Sequence, residues 1–331
     1  VSIAEQAGAG SLNRWQGNTK SAMAAGDTSL SFWRDAQFRV EYAGLRLIVG
    51  IFRALPLGVA TWFSAGAWGR LAPVIARKRH QRALDNLAIA FPEKPVAWRE
   101  KIARAHWENL GRVMVETMSI DRIAADASRI EIANPEVFER YKDKQGPVIG
   151  VSLHQGNYEL AAWPLTLAGA KPAAVYRSVN NPYIDAYLRY QRRNIYPGGL
   201  FGRGKVEGDH GDDQKTARVL MDHVRRGNKL GLICDLYDRN GLAVPFFGKD
   251  ARTVTIGPMI ARRVGARIWM ARALRIGTES RFRIEMKELR VPRTANQGED
   301  IRWATAEMTH QFEAWVRDTP EQWMWSNRRW S

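Results

Sequence analysis

Residues 147–160 read PVIGVSLHQGNYEL. Pro147 to Leu153 is a short β-branched run with strand character, and the apolar stretch Ala161 to Leu167 behind it has helical character. The strand therefore delivers His154 to a turn. Glu159 follows five residues later, and on one helix the two would lie about 140° apart. On one strand they would point to opposite faces. They meet only if His154 sits in the loop before the helix and Glu159 reaches back from its first turns, a bend that Gly156 makes easy. Glu159 would then accept the Nδ1 proton and leave Nε2 as a base for an alcohol supplied by the substrate. A nearby helix N-terminus disfavours imidazolium and helps keep such a ring basic.

Further short strands are expected at Ala173–Tyr176, Lys229–Cys234, Ile268–Leu274 and Arg281–Met286. Strands alternating with helical stretches specify an α/β fold, a mixed sheet flanked by helices. Upstream, Ile102, Ala105, Trp107, Leu110, Val113 and Val115 recur at helical spacing, with Pro92 and Pro95 as punctuation. The most apolar stretch is Leu47–Gly69, where only Arg53 is charged and only Pro56 would break a helix. Its uncharged part, Ala54 to Gly69, has 16 residues, about 24 Å of helix against the roughly 30 Å of a bilayer core. A buried core helix fits that length. Trp62, Trp68 and the following Arg70, Arg77, Lys78, Arg79 and Arg82 argue instead for membrane attachment, either as a tilted span or as an interfacial helix. The expected organisation is a leader over 1–30, N-terminal helices over 31–120 with the membrane-associated segment at 47–69, and an α/β catalytic region over 121–331.

The chain of 331 residues carries 50 Lys and Arg against 34 Asp and Glu, and its single cysteine, Cys234, excludes a disulfide scaffold. A formal charge of +16 calls for an acidic partner: nucleic acid, anionic lipid or an acidic carrier protein. Between Arg252 and Arg293 there are 11 Lys and Arg against 3 Glu, half of that net charge. Gly199–Lys205 approaches a phosphate-binding loop but continues with Val206, and Gly150–His154 lacks the last glycine of a nucleophile elbow, so no acyl-enzyme on Ser152 is expected. The remaining histidines are scattered, and no metal or bound cofactor is expected.

The stretch GVSLHQGNYEL resembles the H-x4-E motif of the late acyltransferases of lipid A biosynthesis, the lauroyl and myristoyl transferase type, whose usual form is close to HxGNWE. RALDNLAIAFP (82–92), YRSVNNP (176–182), Asp235 with VPFFG (244–248), Thr253 and Gly257, and PEQWMWSNRR (320–329) match that family's other blocks in order, from about Phe38 to Ser331. Tyr158 stands where Trp is usual, and Leu236 where Gln is common. The resemblance implies transfer of a fatty acyl chain from acyl carrier protein to a hydroxyl of a lipid A precursor, at the cytoplasmic face of a bacterial inner membrane.

On that reading His154 is the base and Glu159 its orienter. Arg177 serves as oxyanion donor, as phosphate anchor or only as a surface arginine, and Asn157 orders the loop or contacts the oxyanion or substrate. Asp235 holds Arg177, contacts a substrate hydroxyl or caps a turn. Asn181 is a further substrate contact. Phe246 and Phe247 form either core or a wall of the acyl groove, and Arg328 and Arg329 contact phosphate. Three other readings compete: an acyltransferase of the same fold acting on a phospholipid or another glycolipid, a basic nucleic-acid-binding protein, and a membrane-anchored scaffold without activity. The nucleic-acid reading lacks any recognisable binding motif, so no nucleic-acid partner is expected.

Overall fold

The computed structural model describes residues 32–137, 146–203 and 213–330. The expected leader therefore lies outside the described residues, as does the end of the Gly199–Lys205 near-match. The chain opens with helices α1 (Phe32–Ala54), α2 (Leu57–Ile75), α3 (Arg77–Ala90), α4 (Val96–Thr117) and α5 (Ile120–Ala124). An alternating region follows: β1 (Ile130–Ile132), β2 (Val148–Gly156), α6 (Trp163–Leu167), β3 (Ala173–Arg177), α7 (Pro182–Arg192), β4 (Gly199–Arg203), α8 (Asp213–Arg225) and β5 (Lys229–Ile233). It is completed by β6 (Tyr237–Phe246), β7 (Lys249–Thr253), α9 (Ile256–Val264), β8 (Arg267–Arg275), β9 (Phe282–Leu289) and α10 (Gln297–Asp318). Every strand expected from the sequence is present within a few residues of its expected bounds.

Seven strands form one mixed sheet in the order β1-β9-β8-β2-β5-β3-β4, in which only the β8–β9 pair is antiparallel. Strand β2 is central, flanked by β5 and β8, strands that come later in the chain. The carboxyl ends of such parallel strands, where the winding order reverses, are where open α/β sheets place their binding crevices. Strand β2 reads as a nearly continuous apolar run because both of its faces are covered. The N-terminal helices share this core: Ala83, Leu87, Phe91 and Ile102 pack in one cluster with Ile149 and Val151 of β2 and with Trp323 and Trp325 near the C-terminus.

Leu47–Gly69 is not one helix. Proline lacks the backbone N–H that would continue the ladder, so the chain breaks at Leu55–Pro56 and divides the apolar run between α1 and α2. Among the described residues no helix is long and apolar enough to cross a membrane. Arg53 instead forms a forked pair with Asp121 of α5 at 2.8 and 2.7 Å.

Helix α2 has an inverted pattern. Ala60, Ser64, Ala65, Gly69 and Ala72 face inward, and the Ser64 hydroxyl donates to the carbonyl of Gly111 in α4 at 2.8 Å. A Cβ on Gly111 would lie 2.6 Å from the Ser64 carbonyl oxygen, so only glycine permits this approach. The large apolar residues point outward: Trp62 is 69% exposed, Phe63 60% and Ile75 71%. Val59, Leu71 and Val74 share their exposure, and α1 adds Leu47, Ile48 and Ile51. Small residues inside and large apolar ones outside is the reverse of an ordinary surface helix.

Candidate active site

Strands β2 and β5 run parallel with Ser152 beside Ile233 and place His154 and Asp235 side by side just beyond the paired register. The Cys234 amide donates to the Ser152 carbonyl at 2.9 Å and carries the alignment up to the pair. His154 Nδ1 lies 2.7 Å from Asp235 Oδ1, and the His154 amide donates to Asp235 Oδ2 at 2.8 Å. The Trp323 indole N–H donates to that same Oδ2 at 2.8 Å. Asp235 is 2% exposed. Burial alone would push its carboxyl up, but the His154 ring, the His154 amide and the Trp323 indole together hold it below the usual carboxylate range. Its charge therefore supports the fold above an unfolded value of about 4, and that support is lost as pH falls through the lower folded value.

This arrangement corrects the expected orienter. His154 remains within β2, and Glu159 sits in a short 3₁₀ turn over Tyr158–Ala162. There its carboxylate receives a fork from Arg192 of α7, with Arg192 Nε at 2.9 Å from Oε2 and Nη2 on Oε1. Burial opposes the charge of Arg192, but the Glu159 carboxylate overrides it and holds the guanidinium more firmly protonated than usual. Glu159 anchors α7 to the turn after β2, while Asp235 orients the ring.

The turn is locked from several sides. Gly156 has φ +59, and a Cβ there would fall 1.9 Å from the Ala273 carbonyl oxygen, so the departure from β8 requires glycine. Asn157 follows, fully buried, with its amide donating to Glu116 Oε2 at 3.0 Å. Glu116, on α4, also accepts from Arg275 of β8 through both guanidinium Nη atoms and from the Ser280 hydroxyl at 2.7 Å. Asn157 thus ties the turn to α4 from inside the protein. The C-terminal segment closes the other side: the Met324 amide donates to the His154 carbonyl at 2.9 Å, and Asn86 of α3 ties this segment down through the carbonyls of Trp325 and Asn327.

A narrow cleft is lined by His154, Tyr158, Gly156, His106, Asn109, Leu110, Val113, Gln322 and Met324. Its free interior is about 10 Å³, room for about one water molecule. Nδ1 is held by Asp235, and no described residue bonds Nε2 of His154.

Several expected contacts are elsewhere. Arg177 is exposed at the end of β3, separated from β2 by β5, and does not line the cleft. Asn181 caps α7 by accepting from the amides of Tyr183 and Ile184, and its own amide donates to the Phe38 carbonyl and to Glu41 of α1. Phe246 and Phe247 are core residues, with rings against Phe91, Trp323, Trp325 and Trp330. Arg329 is 2% exposed and donates to Thr253 Oγ1 at 2.7 Å, and burial pushes its guanidinium down to about 10. It holds the C-terminal segment on β7 and faces no solvent phosphate. Arg328 is exposed, 4.2 Å from the Tyr237 ring centre. Much of the basic excess between Arg252 and Arg293 is spent internally: Arg262 pairs with Asp300, Arg272 with Glu285 and Asp318, and Arg275 with Glu116. Cys234 is buried, and burial with Asp235 beside it pushes its thiol up, which disqualifies it as a nucleophile.

A family model described as bacterial lipid A biosynthesis acyltransferase matches residues 35–331. The chain belongs to this family. Among curated relatives of this acyltransferase, the lipid A biosynthesis palmitoleoyltransferase of Escherichia coli (strain K12) is 24% identical over 270 residues, covering 79% of this chain and 81% of that protein. The lauroyltransferase of the same organism is 24% identical over 270 residues, 79% of this chain and 82% of its own. The myristoyltransferase is 26% identical over 137 residues, 41% and 42% of the two chains.

The cleft of the acyltransferase also holds a residue that sequence reasoning missed. His106 is buried on α4, its ring tilted against that of Trp107 with centroids 4.6 Å apart, and its Nε2 has no hydrogen-bond partner among the described residues. Burial foremost, with repulsion from His80, pushes its imidazole down to about 3. The unfolded chain therefore binds one more proton than the folded one between about pH 6.5 and that value. Stability is full above the unfolded value and drops by about 1.4 kcal/mol per pH unit as pH falls below it. Urea unfolding at pH 7 and pH 5 should show this loss, roughly 2 kcal/mol from His106, and His106→Leu should remove that share and leave the part contributed by His80 and His223, whose imidazoles burial also holds below the ordinary value.

Proposed function

We propose that the protein transfers a fatty acyl chain from an acyl carrier protein thioester to a hydroxyl of a lipid A precursor, with His154 as general base and Asp235 as its orienter. The observation that carries this reading is the 2.7 Å contact from His154 Nδ1 to Asp235 Oδ1, with two N–H donors fixing the other carboxylate oxygen. Nε2 takes the proton of the acceptor hydroxyl, whose oxygen attacks the thioester carbonyl. The tetrahedral intermediate collapses with loss of the thiolate, which recovers the proton from Nε2. The products are an ester and the free thiol of the carrier. A positioned base of this kind is worth about 10² to 10⁴ in rate.

The membrane surface enters through the outward apolar face of α1 and α2. Trp62, Phe63, Leu71 and Ile75 project beside the exposed Arg70, Arg77, Lys78 and Arg79, the pattern of an interfacial helix on anionic headgroups. An acceptor and a donor chain that are both lipidic fit an enzyme seated on the cytoplasmic face of the inner membrane. The net charge of +16 suits both that surface and an acidic carrier.

The test is mass spectrometry of products formed by the purified protein from carrier thioesters of several lengths and a lipid A precursor, with His154→Ala in parallel. The expected result is an ester product that depends on the carrier and disappears in the variant. No product from the folded wild type, or a product undiminished in His154→Ala, overturns the reading.

A further inference from the structure

We propose that the Tyr158 hydroxyl donates the hydrogen bond that stabilises the oxyanion formed when the thioester carbonyl is attacked in the His154 cleft. This inference rests on the acyl-transfer reading above. A tetrahedral oxyanion needs a donor placed beforehand beside the base, and such donors are among the largest contributors to acyl transfer. Tyr158 lines the cleft with His154, and its ring meets the imidazole edge-on with centroids 4.8 Å apart. Its hydroxyl bonds no described residue.

The neighbouring polar groups are committed. The Asn109 amide donates to the carbonyls of Gly156 and Gln322, and its oxygen accepts from Arg275. Gln322 exchanges hydrogen bonds with the backbone of Arg275. Arg192 is spent on Glu159, and Arg177 lies outside the cleft. Nε2 of His106 is sealed from solvent.

Tyr158 is also suited by its protonation. Burial foremost, then the carboxylates of Glu159 and Asp235, push its phenol above its ordinary value, so it stays an O–H donor through the neutral range. The forked Glu159–Arg192 pair immediately after it fixes the 3₁₀ turn that carries the ring. In the reaction the hydroxyl strengthens its bond as negative charge grows on the carbonyl oxygen and keeps its proton throughout.

The experiment compares Tyr158→Phe, Tyr158→Leu and His154→Ala with the wild type, using the purified full chain, acyl carrier thioester and a lipid A precursor. Phenylalanine keeps the ring against His154 and removes only the hydroxyl. The expected result is a fall in kcat of about 10² to 10³ for Tyr158→Phe, with KM for the thioester unchanged and an unchanged thermal midpoint. Tyr158→Leu should fall to a similar level. Wild-type turnover in Tyr158→Phe, with loss only in Tyr158→Leu, would assign the residue to packing and overturn the inference. A rise in KM at constant kcat would overturn it equally, since that marks ground-state binding. Failure of the acyl-transfer reading is separately visible, as an inactive wild type or an active His154→Ala.

Discussion

Asp235→Asn should lower kcat by about 10³ to 10⁴ while leaving KM and the fold nearly intact, the scale seen when the aspartate of a serine-protease triad is replaced by its amide. The direction follows from the donors around the carboxylate. The His154 amide and the Trp323 indole both donate to Oδ2. In the variant they select the amide oxygen for that position, and the NH₂ group then takes the place of Oδ1 and faces Nδ1. A donor facing Nδ1 forces the ring to accept there, which puts its single proton on Nε2. The base is then already protonated on the nitrogen that must take the substrate proton. Steady-state kinetics with the carrier thioester measure the loss, and a variant within tenfold of the wild type would contradict the assigned orienter.

Arg275→Met should cost about 3 to 5 kcal/mol in urea unfolding, the typical penalty for leaving a buried charge without its partner. Glu116 is fully buried, and its carboxylate serves Arg275, Ser280 and Asn157 at once. Removing the guanidinium leaves a carboxylate with two neutral donors in a site closed to water. The damage reaches the active site because Asn157 depends on Glu116 and begins the turn that carries Tyr158 and Glu159. Adding Glu116→Leu should recover only part of the loss, since Ser280 and Asn157 would then lack their acceptor. Full recovery in the double variant would show that the ion pair alone, rather than the four-residue network, holds this corner.

Local patterns made the sheet legible. The β-branched run before His154 and the short apolar runs around Leu230 and Ile268 announced their strands. The partner of His154 was not legible from H-x4-E, because two residues five apart carry no information about which strand lies next to theirs. The pairing of β2 with β5 brings together residues 81 positions apart, His154 and Asp235. Asp235 directly after the KLGLIC strand was visible, but its register against Ser152 was not. Glu159 and Arg192 are likewise joined through tertiary packing, and nothing near Glu159 in the chain pointed to α7. Phe246 and Phe247 show the limit of composition: apolar pairs look the same in a groove and in a core. Counting residues across Leu47–Gly69 obscured the break at Pro56, while the alternation of small and large apolar residues within α2 held the more useful signal.

The most direct test of the base and its orienter is proton and ¹⁵N NMR of the full chain with selectively labelled histidine. A downfield proton attached to Nδ1 of His154, identified by its loss in His154→Ala, should be present in the wild type, persist in Glu159→Gln, and vanish or move sharply upfield in Asp235→Asn. A resonance that survives unchanged in Asp235→Asn and disappears in Glu159→Gln would contradict the account.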